Sequence, residues 1–96
     1  MNNERITEDQ ELFKKIPFGS RNKMYVPNNH SYFRYLVADA NKSGDCIINI
    51  RGGYFRPIPG VDDKEVEHYF ARELHRAREI LFKRKRMKQA FINLKV

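Results

Sequence analysis

The chain has 96 residues, of which 41% are hydrophobic and 32% are charged, and 19 Lys and Arg against 12 Asp and Glu give a net charge of +7. This length allows one small domain, and the composition is too apolar for a disordered chain and too polar for a membrane protein. The single cysteine, Cys46, excludes an intramolecular disulfide and a zinc site made of cysteines alone.

The charge is unevenly distributed. Residues 12–61 and 80–96 each carry a net charge of +6, whereas residues 1–11 carry −3 and residues 62–79 carry −2. A positive field attracts polyanions, above all nucleic acid, although the same Lys and Arg also serve simply to solvate a small protein. The chain start lacks the apolar core of a signal peptide, and no apolar run is long enough for a membrane span, so we expect a cytoplasmic protein.

The first predicted element is a short helix over Gln10–Lys15 that Thr7 caps. Its apolar side consists of Leu12, Phe13 and Ile16. Pro17 disfavours helical geometry in the residue before it, so the helix should end near Ile16. The residues leave open whether segment 1–10 is ordered.

A second helix is predicted over Ser31–Lys42, after a loop in which only Lys23–Val26 is suited to a strand. Ser31 is the expected N-cap, Phe33, Leu36, Val37 and Ala40 form the apolar side, and Gly44 suits a left-handed C-cap. The opposite side carries Tyr32, Arg34 and Tyr35. Either these rings are exposed for binding, or they fold down over the edges of the core.

Two runs rich in β-branched and aromatic residues, Cys46–Ile50 and Tyr54–Ile58, predict a β-hairpin. Gly52 and Gly53 are expected to supply the positive φ angles of a tight turn. Arg51 would then lie at the tip and Arg56 on the second strand. Because Pro57 and Pro59 cannot donate hydrogen bonds, this strand should lie at a sheet edge, and Cys46 should be a small core residue.

The last predicted element is a helix over residues 62–92. Asp62 and Glu65 have the spacing of a capping box, and apolar residues then recur every three or four positions. Such a helix spans about 45 Å at 1.5 Å per residue, longer than a domain of this size is wide. Its far end must therefore project, bend or dock on a second chain, which makes a homodimer through this helix one expectation.

Signals for catalysis and metal binding are weak. His68 and His75 are separated by seven residues, about 10 Å along a helix, too far apart to share a metal ion. The adjacent Asp62 and Asp63 are explained by helix capping, and Gly52-Gly53 lacks the pattern of a phosphate-binding loop. We therefore predict a protein that is not an enzyme and has no metal site and no cofactor.

Three stretches together resemble a family of short winged-helix proteins encoded by phages and prophages of Gram-positive bacteria. They are IPFGSRNK at 16–23, SYFRYLVADANKSGDCIIN at 31–49 and GGYFRPIPGVDDKEVEHYFARELHRAREIL at 52–81. In that family a segment Ile-Pro-x-Gly precedes the helix-turn-helix, and the recognition helix leads into a strand, a wing and a long C-terminal helix. The resemblance covers about two-thirds of the chain and implies a small α+β winged-helix-like domain over residues 1–96.

The segment Met24–His30 departs from the family pattern. Members of the family usually have about ten helical residues there, which form the first helix of the turn, whereas this segment has seven residues including Pro27. The resemblance therefore implies that this supporting helix is lost, and with it the usual presentation of the recognition helix to a DNA groove.

Two functional hypotheses follow. The first is a nucleic-acid-binding protein, with duplex DNA as its ligand, that uses helix 31–42, wing 46–58 and the basic run KRKRMK at 83–88. Its candidate residues are Tyr32, Arg34, Tyr35, Asn41, Arg51, Arg56, Lys83, Arg84, Lys85, Arg86 and Lys88. The second is a phage-encoded inhibitor of a host defence nuclease, similar to an anti-CRISPR protein, that binds a protein or ribonucleoprotein through Tyr32 and Tyr35.

Overall fold

A computed structural model describes residues 3–94 and shows a small α+β fold whose layout is consistent with a winged helix. Three α-helices and three strands make up this part of the chain: α1 (Asn3–Lys14), β1 (Met24–Tyr25), α2 (Ser31–Lys42), β2 (Ile48–Ile50), β3 (Gly53–Phe55) and α3 (Asp63–Leu94). A turn of 3-10 helix covers Ser20–Asn22. As predicted, the segment between β1 and α2 contains a turn and no helix.

Helix α1 is longer than predicted, because it begins at Asn3 and includes Thr7, which was expected to cap it. The reason is a tertiary contact. Asp9 is fully buried, and its carboxylate accepts a hydrogen bond of 3.0 Å from the amide of Phe33 in α2. The predicted end near Ile16 is confirmed, since the helix stops at Lys14, three residues before Pro17. Of segment 1–10, whose order the sequence does not decide, residues 3–10 are helical, and residues 1 and 2 lie outside the part of the chain that the structure describes.

Helix α2 has the predicted bounds, but its N-cap is His30 and not Ser31. The side chain of His30 makes no capping hydrogen bond, and Asp9 of α1 satisfies the third helical amide instead. At the other end Gly44 has a φ of 102°, and the amide of Asp45 bonds to the carbonyl of Ala40 at 3.0 Å. This is a Schellman motif, and it confirms the C-cap predicted at Gly44.

The three strands form an antiparallel sheet in the order β1-β3-β2. Strand β3 is therefore central, and the prediction that it lies at an edge is wrong. Met24 pairs with Tyr54 on one side of β3, and Asn49 pairs with Tyr54 on the other. Pro57 comes two residues after the last residue of β3, so its missing amide hydrogen removes no hydrogen bond from the sheet.

The hairpin turn is centred on Arg51 and Gly52, one residue earlier than predicted. Arg51 has a φ of 52° and Gly52 a φ of 86°, whereas Gly53 belongs to β3. Two successive positive φ angles are those of a type I′ turn, which matches the twist of the two strands.

Cys46 lies before β2 and is exposed, so the prediction that it is a core residue is also wrong.

The core lies between α1, α2 and the sheet. Its buried members are Ile16, Val26, Phe33, Val37, Ile47 and Tyr54, and Leu12, Phe13, Met24 and Ala40 pack against them. The rings of Phe33 and Tyr54 meet edge to face with their centroids 4.8 Å apart. The apolar sides predicted for the first two helices therefore face this core.

Asp62 precedes α3. Its carboxylate bonds to residues earlier in the chain, whereas a capping box predicts bonds to the first turn of the helix. It accepts a hydrogen bond of 2.7 Å from the hydroxyl of Ser20 and one of 2.8 Å from the amide of Ile58. These bonds, that of the Ser20 hydroxyl foremost, lower the pKa of Asp62. The buried Asp62 thus ties the chain before α3 to the segment that follows α1.

The chain divides into two units between Val66 and Glu67. The first contains α1, α2, the sheet and the first residues of α3, and the second contains the rest of α3. Five predicted site residues, the bases of segment 83–88, belong to the second unit. The other six belong to the first.

Candidate nucleic-acid interface

Tyr32 and Tyr35 form a stacked pair on the outer side of α2. Their ring centroids are 5.9 Å apart, and the rings are inclined by 17°. Tyr35 is 61% exposed, whereas Tyr32 is half-buried. The structure thus combines the two alternatives for this face, because one ring is available to a partner and the other supports it.

Arg34 is exposed on α2, but its guanidinium is oriented by the turn before the helix. Its Nη1 donates a hydrogen bond to the carbonyl of Asn28. Burial raises the pKa of the Tyr54 phenol, and the positive charge of Arg34 partly lowers that pKa again. Arg34 therefore stabilises the turn between β1 and α2.

The side chain of Asn41 bonds to the backbone of the chain itself. Its side-chain Oδ1 accepts a hydrogen bond of 2.8 Å from the amide of Ile47, and its Nδ2 donates one of 3.1 Å to the carbonyl of the same residue. This pair of bonds closes the loop between α2 and β2. A base-reading asparagine needs the same two atoms for an adenine, so this geometry leaves Asn41 out of the interface.

Arg51 is exposed at the tip of the hairpin. Lys23, which precedes β1, and Tyr25 in β1 lie close to the residue that follows the turn. The side chains of Lys23 and Tyr25 both approach Gly53, the residue after the turn: a Cβ atom added there would lie 2.6 Å from the Cδ of Lys23 and 3.2 Å from the Cε1 of Tyr25. Tyr25 is 66% exposed. The tip therefore carries two cationic side chains and an aromatic ring, of which the sequence predicted only Arg51.

Arg56, in contrast, is held inside the first unit. Its Nη2 lies 2.9 Å from Oδ2 of Asp45, and its guanidinium carbon lies 5.7 Å from the ring centroid of Phe13. The hydrogen bond from Arg56 lowers the pKa of Asp45. Since its charge is already paired, Arg56 is a poor candidate for a phosphate contact.

The basic run of α3 is exposed along its whole length. Every side chain from Phe70 to Leu94 is exposed, and no acid occurs between residues 80 and 94. Successive residues of a helix are rotated by about 100°, so the five bases surround the helix and do not form one stripe. Arg86 packs on Phe82, with its guanidinium carbon 5.7 Å from the ring centroid.

The sequence pattern indicates no role for Lys23, Tyr25 or Asp9, and it predicts for Asp62 only a capping role at α3. Lys23 lies just before β1 and Tyr25 lies in it, two positions apart, so the sequence places both on one side of the chain, but only the pairing of β1 with β3 brings them to Gly53. The burial of Asp9 and Asp62 has no local signal, since each carboxylate is matched to a residue more than 20 positions away.

The described residues contain no group of three His, Cys, Asp or Glu side chains placed to hold a metal ion. Within the same part of the chain, no helix combines the length and the apolarity needed to cross a membrane.

The chain was compared with models of protein families, with curated proteins and with solved structures, and none of the three comparisons found a match.

Proposed function

We propose that this protein binds nucleic acid, with duplex DNA as its ligand, through the phosphate backbone and without enzymatic activity. The observation that carries the proposal is the segment 83–88 of α3, where five of six side chains are basic, all are exposed and no acid occurs between residues 80 and 94. Lys and Arg that neutralise phosphates supply most of the affinity of non-specific DNA binding.

The hairpin tip adds a second set of cations. Arg51 lies in the turn, and the side chains of Lys23 and the exposed Tyr25 lie against Gly53, the residue after it. Contacts of this kind position a protein on DNA, whereas sequence is read by side chains that reach base edges. Because Asn41 and Arg34 bond to the backbone of the chain itself, the proposed binding has little sequence preference.

The resemblance to winged-helix proteins of phages and prophages supports the same class of ligand and a place in the bacterial cytoplasm. In those proteins the helix corresponding to α2 enters the major groove and the wing contacts the backbone. Here the supporting helix is replaced by a turn, so the wing and α3 are the parts we expect to contact DNA.

Fluorescence anisotropy with a labelled random duplex at three salt concentrations tests the proposal. With six to eight phosphate contacts, the logarithm of the binding constant should fall against the logarithm of the salt concentration with a slope of about −5 to −7. The triple variant Lys83→Gln, Lys85→Gln and Arg86→Gln should reduce the magnitude of this slope by about 3.

A second triple variant controls for net charge. Lys14→Gln, Lys15→Gln and Lys64→Gln removes the same charge from exposed positions outside the proposed interface, so its slope should stay close to that of the parent. Equal effects of the two triple variants would mean that only the overall charge attracts DNA. Absence of binding at about 50 mM salt would refute the proposal.

The stacked tyrosines favour a second candidate, a phage-encoded inhibitor of a host defence nuclease. Exposed aromatic rings anchor protein interfaces, and Tyr35 is such a ring on a side of α2 where Arg34 and Asn41 bond to the backbone of the chain itself. An RNA-guided nuclease, loaded with its guide and assayed for DNA cleavage with and without the protein, tests it. Inhibition that Tyr35→Ser abolishes, while DNA affinity stays unchanged, would support this candidate over the first.

A further inference from the structure

The second unit exposes a long apolar surface on α3. Phe70, Ile80 and Met87 are exposed by 53%, 61% and 61%, and an open groove of about 420 Å³ runs along Ile80, Arg84, Met87 and Phe91. Helices in water owe most of their stability to the packing of such a face, and contiguous exposed apolar surface marks an interaction site.

The face has the spacing of a coiled coil. Positions 70, 73, 77, 80, 84 and 87 follow one another at alternating steps of three and four, which are the a and d positions of a heptad repeat. Four of them are apolar: Phe70, Ala77, Ile80 and Met87. The other two carry opposite charges, Glu73 and Arg84.

These two charges are placed symmetrically about the middle of the face, between residues 78 and 79. If two copies of α3 run antiparallel with these points aligned, Glu73 of each copy meets the partner's Arg84. In the same alignment Ala77 meets the partner's Ile80 and Phe70 meets the partner's Met87. Each layer, meaning one residue and the residue it faces in the partner, then joins an a position of one helix to a d position of the other, as antiparallel coiled coils require. Every charge on the face is then paired.

A parallel arrangement of the same helices is unfavourable. It places Glu73 against the partner's Glu73 and Arg84 against the partner's Arg84, so that both polar layers contain like charges in a partly desolvated seam. Within one chain Glu73 lies 3.6 Å from Arg76. That exposed ion pair contributes little to stability. Glu73 can therefore leave Arg76 and pair with the partner's Arg84 at little cost in free energy.

The positions beside the seam agree with the antiparallel alignment on one flank. Leu74 lies next to the partner's Leu81, and Glu67 lies next to the partner's Lys88, an apolar pair and a pair of opposite charges. The other flank carries Arg76 and Lys83, so the pairing gathers positive charge along one side of the two helices.

We infer that α3 forms an antiparallel homodimer whose register is set by reciprocal pairs of Glu73 with the partner's Arg84. This interface needs no ligand to form. It places Arg84 in the seam and leaves Lys83, Lys85 and Arg86 outside it, so these three bases remain available for the proposed phosphate contacts. The test of this interface is therefore made without DNA, and its failure would leave the proposed function untouched.

Sedimentation equilibrium of the full chain over a range of concentrations measures the dimer. The unmodified protein should dimerise, and Glu73→Arg or Arg84→Glu alone should weaken the dimer by about tenfold to a hundredfold, because each single change places like charges in both polar layers. The double variant with both changes should dimerise again, since it restores opposite charges in reversed order. Equal helix content by circular dichroism shows that each variant folds.

Mixing the two single variants provides a further measurement on the same chains. Glu73→Arg combined with Arg84→Glu should form a heterodimer, because each acidic position of one chain then meets a basic position of the other. A monomer at high micromolar concentration would overturn the inference. So would a dimer that both single variants leave unchanged, because a parallel pair keeps like charges opposed before and after either change.

Discussion

Asp9 of α1 and His30 at the start of α2 form a buried pair, with Oδ1 of the carboxylate 2.6 Å from Nδ1 of the imidazole. The second carboxylate oxygen accepts the amide of Phe33 at 3.0 Å, so that one aspartate both binds the N-cap residue of α2 and caps its third amide. Here α1 holds α2 by this polar contact and by its apolar side.

Asp9→Ala should lower the free energy of unfolding by about 2–5 kcal/mol, because it leaves a buried amide and a buried imidazole without their partner. Urea denaturation followed by circular dichroism measures the change. Glu4→Ala removes an exposed acid from the same helix and should change stability by less than about 0.5 kcal/mol. A loss for Asp9→Ala no larger than this control would mean that the pair does not hold the two helices together.

Asp62 should make the protein sensitive to acid. Its pKa is lowered from 3.8 in the folded state by the hydrogen bonds from Ser20 and Ile58, so the ionised carboxylate stabilises the fold at pH values well above 3.8. This contribution is lost as the pH falls through the lowered pKa of the folded state. Asp62→Asn should therefore lower the urea midpoint at pH 7, and the difference from the parent should shrink in acid. A difference that grows as the pH falls would contradict this assignment.

Arg51 can be replaced without disturbing its turn. Its φ of 52° is one that Asn adopts readily and a β-branched residue does not. Arg51→Asn should keep or slightly raise stability, whereas Arg51→Val should lower it by about 1–2 kcal/mol. Both remove the charge, and each should reduce the magnitude of the salt slope for DNA by about 1. An unchanged slope in the well-folded Arg51→Asn variant would exclude the hairpin tip from the interface.

Arg56 should matter for stability and not for binding. Its ion pair with Asp45 predicts a coupling free energy of about 0.5–1 kcal/mol in a double-mutant cycle of Arg56→Gln and Asp45→Asn, measured by urea denaturation. DNA titration of Arg56→Gln should give a salt slope within error of the parent's. A slope reduced as much as that of Arg51→Asn would return Arg56 to the interface.

The residues of the interface predicted from sequence fall into two groups, those that are exposed and those that bond within the chain. Arg51 and the bases of segment 83–88 are exposed, as a phosphate-binding surface requires. Asn41 and Arg56 bond instead to Ile47 and Asp45. A polar residue on the outer side of a helix or strand carries no mark of which partner it meets, because that partner comes from a separate segment of the chain.

Local signals in the sequence were sufficient for most element boundaries, but not for the start of α1 or for the 3-10 turn at Ser20–Asn22. The bounds of α2, the Gly44 C-cap, the end of α1 before Pro17 and the extent of α3 all follow from residue preferences that act within a few positions. The same kind of signal gave the hairpin, but it placed the turn one residue late. Arg51 adopts a positive φ there, although glycine adopts that conformation more readily.

Only the tertiary structure decided how these elements are held together. The central position of β3 depends on β1, a strand of two residues whose pairing has no sequence signature. The early start of α1 depends on Asp9, which is stable in the interior only because His30 and the amide of Phe33 meet it there. Sequence by itself therefore determined the helices, the hairpin and the positive charge, since these depend on local preferences and composition. The strand order and the buried polar pairs were decided by contacts between distant segments, whose energies exist only once the chain has folded.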